Sequence, residues 1–212
     1  MLHLSQIKIH FEDAPAGSQA IHCDLQLSPG EICGITGPSG VGKSTLLLAL
    51  AGFHEVTSGD MSWNGASFAS QLVWDRPVSC LFQSDNVFPH LSVRKNISLA
   101  APKLAKKHEI EDEIANLTQK LGIFDILDKV TSALSGGQQQ RVGLARSLMS
   151  RKPILLLDEP FSALDDENRL SALSLVKQIT TDHQLVTMIV THDETDITYL
   201  GAKSLRLHRQ PL

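Results

Sequence analysis

No stretch of this 212-residue sequence is apolar enough to cross a bilayer. Its longest apolar runs, Leu46 to Ala51 and Ile154 to Leu157, fall far short of the ~20 residues that a spanning helix needs. No secretory leader is expected either. The first residues alternate polar and apolar (His3, Ser5, Gln6, Lys8), without a basic start and an apolar centre. Work at a membrane is therefore expected from outside it, beside a partner. Cysteine is scarce: Cys23, Cys33 and Cys80 are widely spaced and each falls in a strand-like apolar stretch. That predicts buried free thiols in a reducing compartment rather than a disulfide frame. The nine histidines form no H-x-x-x-H pair and no cluster with cysteine, so no structural zinc is expected. Neither charge dominates, with 19 Lys and Arg against 23 Asp and Glu, a net −4. Such a balance argues against broad nucleic-acid binding, yet leaves room for a polyanion held at one local site. Repeats and low-complexity linkers are absent as well. The length suits one domain, or one domain with an insert.

What is present is a change of periodicity along the chain. Leu2, Leu4, Ile7 and Ile9 alternate, which predicts a strand over 2–10, and residues 12–20 are loop-like. Ile21 to Leu27 alternates again and stops at Ser28-Pro29-Gly30, a turn signal. Glu31 to Thr36 is a short buried strand, followed by a Gly-rich loop and an apolar helix from Lys43 to Ala51. From Ser92 to about Leu127 the pattern turns helical, with Ile110, Ile114, Leu117 and Leu121 on one face. The charges around them (Lys103, Lys106, Lys107, Glu109, Glu111, Asp112, Glu113) predict a solvated surface. Gly137 to Met149 then reads as helix, Pro153 to Leu157 as strand, Glu167 to Thr180 as helix and Leu185 to Val190 as strand. Ala202 to His208 is long enough for one strand more. Apolar strands alternating with helices predict an α/β fold whose parallel sheet is covered on both faces.

Three segments carry chemistry. Gly37-Pro38-Ser39-Gly40-Val41-Gly42-Lys43-Ser44-Thr45 fits G-x-x-x-x-G-K-[S/T] at every fixed position, between a strand and a helix. Its glycines let backbone N–H groups converge on one point, where the helix N-terminus adds roughly half a positive charge. Lys43 is placed for β- and γ-phosphates and Ser44 for Mg²⁺. This loop by itself suits kinases, GTPases and many ATPases. Second, Ile154 to Leu157 delivers Asp158 and Glu159 at the end of an apolar strand, the end where open α/β sheets bind ligands. Asp158 is placed to hold Mg²⁺ and Glu159 to polarise a water in line with the γ-phosphate; an acidic helix cap is the plainer reading. Third, Leu134-Ser135-Gly136-Gly137-Gln138 opens a helix, with Arg141 in its first turns. It reads either as an N-capped turn or as a second phosphate cradle. Two cradles in one chain suit two copies arranged head to tail, each lending this loop to the other's nucleotide in a closed dimer.

In type, order and spacing these segments resemble the ATP-binding subunit of an ABC transporter, and the resemblance covers nearly the whole chain. It implies a P-loop NTPase with a RecA-like core, an added antiparallel β subdomain and an inserted α-helical subdomain. On that reading residues 1–212 are one ATPase domain and 84–148 the helical insert, ending with the signature helix. The resemblance gives Leu134 to Gln138 as the signature loop, and Ser135, Gly136, Gly137 and Gln138 as groups that bind the partner's nucleotide. It makes Gln83 the Q-loop glutamine, near Mg²⁺ and the attacking water, and Ser162 to Asp165 the D-loop at the dimer interface. It makes His192 the switch histidine near the γ-phosphate, although a His in that place also serves as a plain cap. Phe11 is the candidate aromatic for stacking on adenine, or else a simple sheet residue. Asp166 stands where importer members commonly carry proline, a change expected to affect only the start of the helix. With little chain after His192, a regulatory C-terminal domain is not expected.

The implied cofactors are ATP and Mg²⁺. The implied partners are a second copy of the chain, integral membrane permease subunits and, through the permease, a solute-binding protein, with no nucleic acid. The implied location is the cytoplasmic face of the inner membrane, as a peripheral subunit. Arg76 to Gln83 and Phe88 to Ile97 are similar to thiamine-importer ATPases, although no physical argument ties an ATPase subunit to the solute moved. Phe88, Pro89, His90 and Leu91 follow Gln83 closely and read as a grip on the permease, or as packing under the helical insert. A P-loop small-molecule kinase would have no use for Leu134 to Gln138. An ABC-type ATPase of DNA repair would need a far longer insert than 92–127, and the ribosomal kind carries two such units.

Overall fold

The computed structural model describes residues 1–10, 20–84 and 86–210, the last two of these by backbone alone. The strands are β1 (Leu2–Ile9), β2 (Ala20–Leu27), β3 (Ile32–Thr36), β4 (Ser58–Trp63), β5 (Ala66–Ser67), β6 (Val78–Leu81), β7 (Ile154–Asp158), β8 (Val186–Val190), β9 (Lys203–Arg206) and β10 (Arg209–Gln210). The helices are α1 (Lys43–Ala51), α2 (Val93–Ser98), α3 (Lys107–Lys120), α4 (Gly136–Met149), α5 (Asp166–Asp182) and α6 (Glu194–Leu200). They build two sheets. One is antiparallel in the order β10-β2-β1-β4-β5, and the other is wholly parallel in the order β6-β7-β8-β3-β9.

Every residue of β7 and β8 is buried, and the period of two sorts their side chains between two apolar layers. Ile154, Leu156, Val186, Met188 and Val190 face one way, with Cys33 and Ile35 of β3, onto α1 and the antiparallel sheet. Leu155, Leu157 and Ile189 face the other way, toward α4, α5 and the helical residues Val93, Ile97, Ile114 and Leu117. On that side the Thr187 and Thr180 hydroxyls, both fully buried, satisfy each other at 2.6 Å. Helix α1 lies between the two sheets, which explains a sequence apolar nearly all round. Removing one such side chain, as in Leu156→Ala, costs about 2–5 kcal/mol.

The helical stretch after β6 is broken at Ala101-Pro102, since proline disfavours helix at the residue before it. Helix α2 starts at Ser92, whose hydroxyl accepts from Lys95 N. Ile114, Leu117 and Leu121 are buried on one face of this block and Ile110 is half-buried. Helix α4 packs against α2, α3 and β6, and so joins this block to the parallel sheet.

Two expectations need correction. The strand predicted over 202–208 divides: β9 ends at Arg206, Leu207 N donates to Thr36 O, and the chain crosses to the other sheet, where β10 pairs with β2. Cys23 and Cys33 are buried free thiols, but Cys80 is only half-buried, because the outer side of edge strand β6 forms the wall of a groove. Burial pushes the three thiols up, to about 12 for Cys23, about 11 for Cys33 and about 12 for Cys80.

Candidate functional site

Strand β3 carries the chain to Thr36, and the next residues fold back before α1. Gly37 has φ 142°, and a Cβ there would lie 2.9 Å from Leu207 O, so only glycine lets the loop pass this close to the returning C-terminal segment. Gly42, at φ 110°, is the residue from which α1 starts. The buried Lys43 turns its ammonium back into the loop and donates to Gly37 O at 2.9 Å and Pro38 O at 3.1 Å. The loop between Gly37 and Lys43, with Pro38, Ser39, Gly40 and Val41, is thus wrapped round one cation.

At the end of β7, Asp158 is 5% exposed and accepts a hydrogen bond from the Ser44 hydroxyl. Its Oδ1 is buried and has no hydrogen-bond partner among the described residues. Burial raises the Asp158 pKa and the charge of Glu159 adds to it, while the Ser44 bond, Lys43 and His192 oppose. An oxygen-only pair, hydroxyl and carboxylate, with one carboxylate oxygen unsatisfied, fits a hard divalent cation such as Mg²⁺.

Glu159 is held in an unusual backbone conformation, φ 48°. Its N–H donates to Val190 O of β8 at 2.9 Å, and its carbonyl accepts from the Gln140 side chain at 2.9 Å. The carboxylate meets His192 Nε2 at 2.5 Å, with Glu159 17% and His192 60% exposed. His192 hangs between two anchored neighbours. Thr191 Oγ1 donates to the buried Asp196 at 2.6 Å, and Arg169 of α5 bridges Asp196 at 2.8 Å and Asp193 at 2.5 Å. The Thr195 hydroxyl and N–H, with Arg169, hold the Asp193 pKa down at about 2. Glu159, Ser162, Arg169 and His192 line one cleft of 430 Å³.

Ser135 caps α4. Its hydroxyl accepts from Gln138 N at 3.3 Å, and Gln138 Oε1 accepts from Ser135 N at 3.0 Å, a reciprocal capping box. Both sequence readings of Leu134 to Gln138 share this geometry. Ser135 and Gly136 are exposed and Gly137 half-exposed. A Cβ at Gly137 would lie 2.7 Å from Ala163 O, so the first turn of α4 rests on the backbone of the 162–165 loop.

The structure therefore brings together Lys43, Ser44, Asp158, Glu159 and His192. It does not add Gln83, which is exposed and lines a separate cavity of 480 Å³ with Gly136, Gln140, Ser162 and Ala163. Asp165, rather than Asp166, caps α5, accepting from Asn168 N at 3.0 Å. Phe11 lies outside the described residues. Sequence reasoning missed Gln140 and Arg169. The only signal for either was position: Gln140 one turn beyond Gly137, Arg169 one turn beyond Asp165.

A parallel sheet whose nucleotide loop follows β3 and whose carboxylates end β7 defines a P-loop nucleoside triphosphatase. Within that class the chain belongs to the ABC transporter family, which it matches over residues 21–162, and it is an ABC ATPase. Thiamine import ATP-binding protein ThiQ of Vibrio cholerae is 43% identical over 204 residues, 96% of this chain and 84% of that protein. ThiQ of Haemophilus ducreyi is 46% identical over 173 residues, 81% of each. Among solved structures, a dimeric post-hydrolysis ATP-binding cassette bound to ADP and Pi superposes with a TM-score of 0.83 over 100% of this chain and 99% of that one. At 24% identity that likeness establishes the fold.

Proposed function

We propose that this chain is the ATP-hydrolysing subunit of a thiamine importer, acting as a head-to-tail dimer at the cytoplasmic face of the inner membrane. The observation that carries the reading is the Glu159–His192 pair beside the unpartnered Asp158 oxygen. The phosphates of ATP take over the Lys43 ammonium from Gly37 O and Pro38 O, and the converging N–H groups of the loop bind the rest of their charge. Ser44 and Asp158 would hold Mg²⁺, which would supply neutralisation of phosphate charge. Glu159 orients the attacking water and accepts its proton. His192, hydrogen-bonded to Glu159, keeps that carboxylate aimed and donates toward the γ-phosphate. Gln83 approaches the water when the helical subdomain, residues 84–148, swings inward. The Ser135 to Gln138 turn, exposed at Ser135 and Gly136, completes the partner's nucleotide site.

Thiamine is the solute that the relatives' names give, and a solute-binding protein reaches this chain only through the permease. The permease docks on the groove of 380 Å³ whose walls include Cys80, Phe82, Phe88, Arg146 and Lys152. Arg146 lies 4.5 Å from the centre of the Phe88 ring. Among the described residues the groove is apolar and basic, with no carboxylate in its wall, so it suits a permease helix that carries apolar side chains and an acid.

Glu159→Gln tests the mechanism: it keeps the shape and removes the proton acceptor. The variant should bind ATP, lose turnover by at least about a hundredfold, and elute as a dimer with Mg²⁺ and ATP. A monomer at every concentration would sink the shared-site reading. Thiamine uptake by vesicles holding the chain with its permease tests the solute; uptake that ignores thiamine overturns that part.

A further inference from the structure

We infer that Gln140 is a positioning residue that ties the signature helix α4 to the catalytic carboxylate of the same chain. One carboxamide spans the whole turn after β7. Its Nε2 donates to Glu159 O at 2.9 Å and lies 3.2 Å from Ser162 Oγ, and its Oε1 accepts from Ala163 N at 3.0 Å. The partners fix its orientation, because a carbonyl only accepts and an amide N–H only donates. Glu159 needs such a clamp. It sits at φ 48°, a left-handed conformation that costs energy in any residue with a Cβ. Val190 O holds its N–H, and its C=O accepts from Gln140 as well as from Ser162 N at 3.3 Å and Ser162 Oγ at 3.1 Å, so the peptide groups on both sides of the catalytic residue are pinned, one by β8 and the other by Ser162 of the turn together with α4, Gln140 being the bond that comes from outside the turn. Contact between the two elements is tight, since a Cβ at Gly137 would sit 2.7 Å from Ala163 O. Nothing in the sequence marks Gln140 apart from its neighbours, yet Gln139 bonds elsewhere, to Thr131 O and Leu134 O.

A consequence follows for the pair of sites, and this half rests on the head-to-tail reading above. Helix α4 begins at Ser135, which faces the partner's nucleotide in that dimer. Through Gln140 the same helix grips Glu159 at the chain's own nucleotide. A displacement of α4 by one ATP therefore reaches the residue that activates water at the other, and Gln140 links the two hydrolytic events.

The test compares full-length Gln140→Glu and Gln140→Leu with the parent. Glu keeps the shape and the bond from Ala163 N but cannot donate to Glu159 O; Leu loses both bonds. Both variants should lower kcat about tenfold or more while the KM for ATP stays within about twofold, the pattern of a group that acts on the reacting geometry and not on binding. The Hill coefficient for ATP should fall toward one. Glu159→Gln carrying Gln140→Leu should still dimerise with ATP, which separates lost positioning from lost assembly. A Gln140→Glu chain with kcat within about twofold of the parent overturns the proposal, as does a kcat loss that merely tracks a lowered Tm and a raised KM. An unchanged Hill coefficient beside a lowered kcat overturns the link between sites. If Glu159→Gln alone never dimerises, the dimer reading falls, and the kcat and KM split still decides the positioning role.

Discussion

Replacing Asp158 by Asn should make the nucleotide-free chain more stable and useless as an ATPase. The side chain is 5% exposed, one oxygen takes the Ser44 hydroxyl, and Oδ1 has no partner among the described residues. Burial raises its pKa, with Glu159 adding, so the fold favours the protonated form. A group whose pKa is raised on folding lends its stability below the unfolded-state pKa and loses it as pH rises through the folded-state pKa. At neutral pH the ionised carboxylate is therefore a net cost. Asn keeps an oxygen for Ser44 and removes the charge. Its NH₂ replaces the unsatisfied oxygen and costs about 1–3 kcal/mol as a neutral orphan, against more for an orphaned charge. The net gain is about 1–2 kcal/mol, and at roughly 2–4 °C per kcal/mol for a chain of this length the Tm should rise by about 2–8 °C. Calorimetry at pH 7.5 in EDTA reads this directly. Repeating it at falling pH should narrow the gap, as the parent's carboxyl takes up its proton. The variant's turnover should fall at least about a hundredfold, and Mg²⁺ with ATP should raise its Tm less than the parent's. An Asn variant that melts below the parent in EDTA, or a gap indifferent to pH, would refute the reasoning.

Two further outcomes test the surroundings of the site. Arg76 is 7% exposed and has only oxygen acceptors in backbone carbonyls: Ala49 and Leu50 at the end of α1, Gln71 and Ala69. Arg76→Met leaves these orphaned, for a loss of about 3 kcal/mol after the recovered desolvation of the guanidinium; the Tm should drop by about 6–12 °C while kcat measured at low temperature stays near the parent's. Cys80 is half-buried and its thiol is pushed up to about 12, so at pH 8 iodoacetamide should label it at least about a hundredfold more slowly in the native chain than in urea. Equal rates would contradict the burial.

Elements whose cause is local could be read from residues alone. Helix α1 was legible because the Gly-Lys-Ser-Thr loop opens it and an apolar run follows directly, and β7 and β8 because a strand buried on both faces is a nearly continuous apolar run. The order β6-β7-β8-β3-β9 was not legible, since no residue names its neighbour across a parallel ladder. Ala202 to His208 looked like one strand because alternation continues across Leu207, where the backbone leaves one sheet for the other. Lys43, Ser44, Asp158, Glu159 and His192 were conspicuous, each being a reactive type where a loop meets a strand or helix end. Gln140 and Arg169 were hidden. A polar side chain on a helix looks like solvated surface until its partners are known, and theirs are backbone atoms and carboxylates distant in sequence.

The place of β3 sets a timetable for the molecule's manufacture. The strand that launches the P-loop has β8 and β9 as its two neighbours, so residues 32–36 find no partner until residues 186–206 exist. At a synthesis rate of about 5–20 residues per second the P-loop strand waits on the order of ten seconds or more with both edges bare. The first strand of the parallel sheet to emerge is thus among the last to be paired, which makes the nascent chain a client for whatever shields exposed strand edges in the cell. It also means that ATP meets no finished cradle before the catalytic carboxylates and the switch histidine have been made.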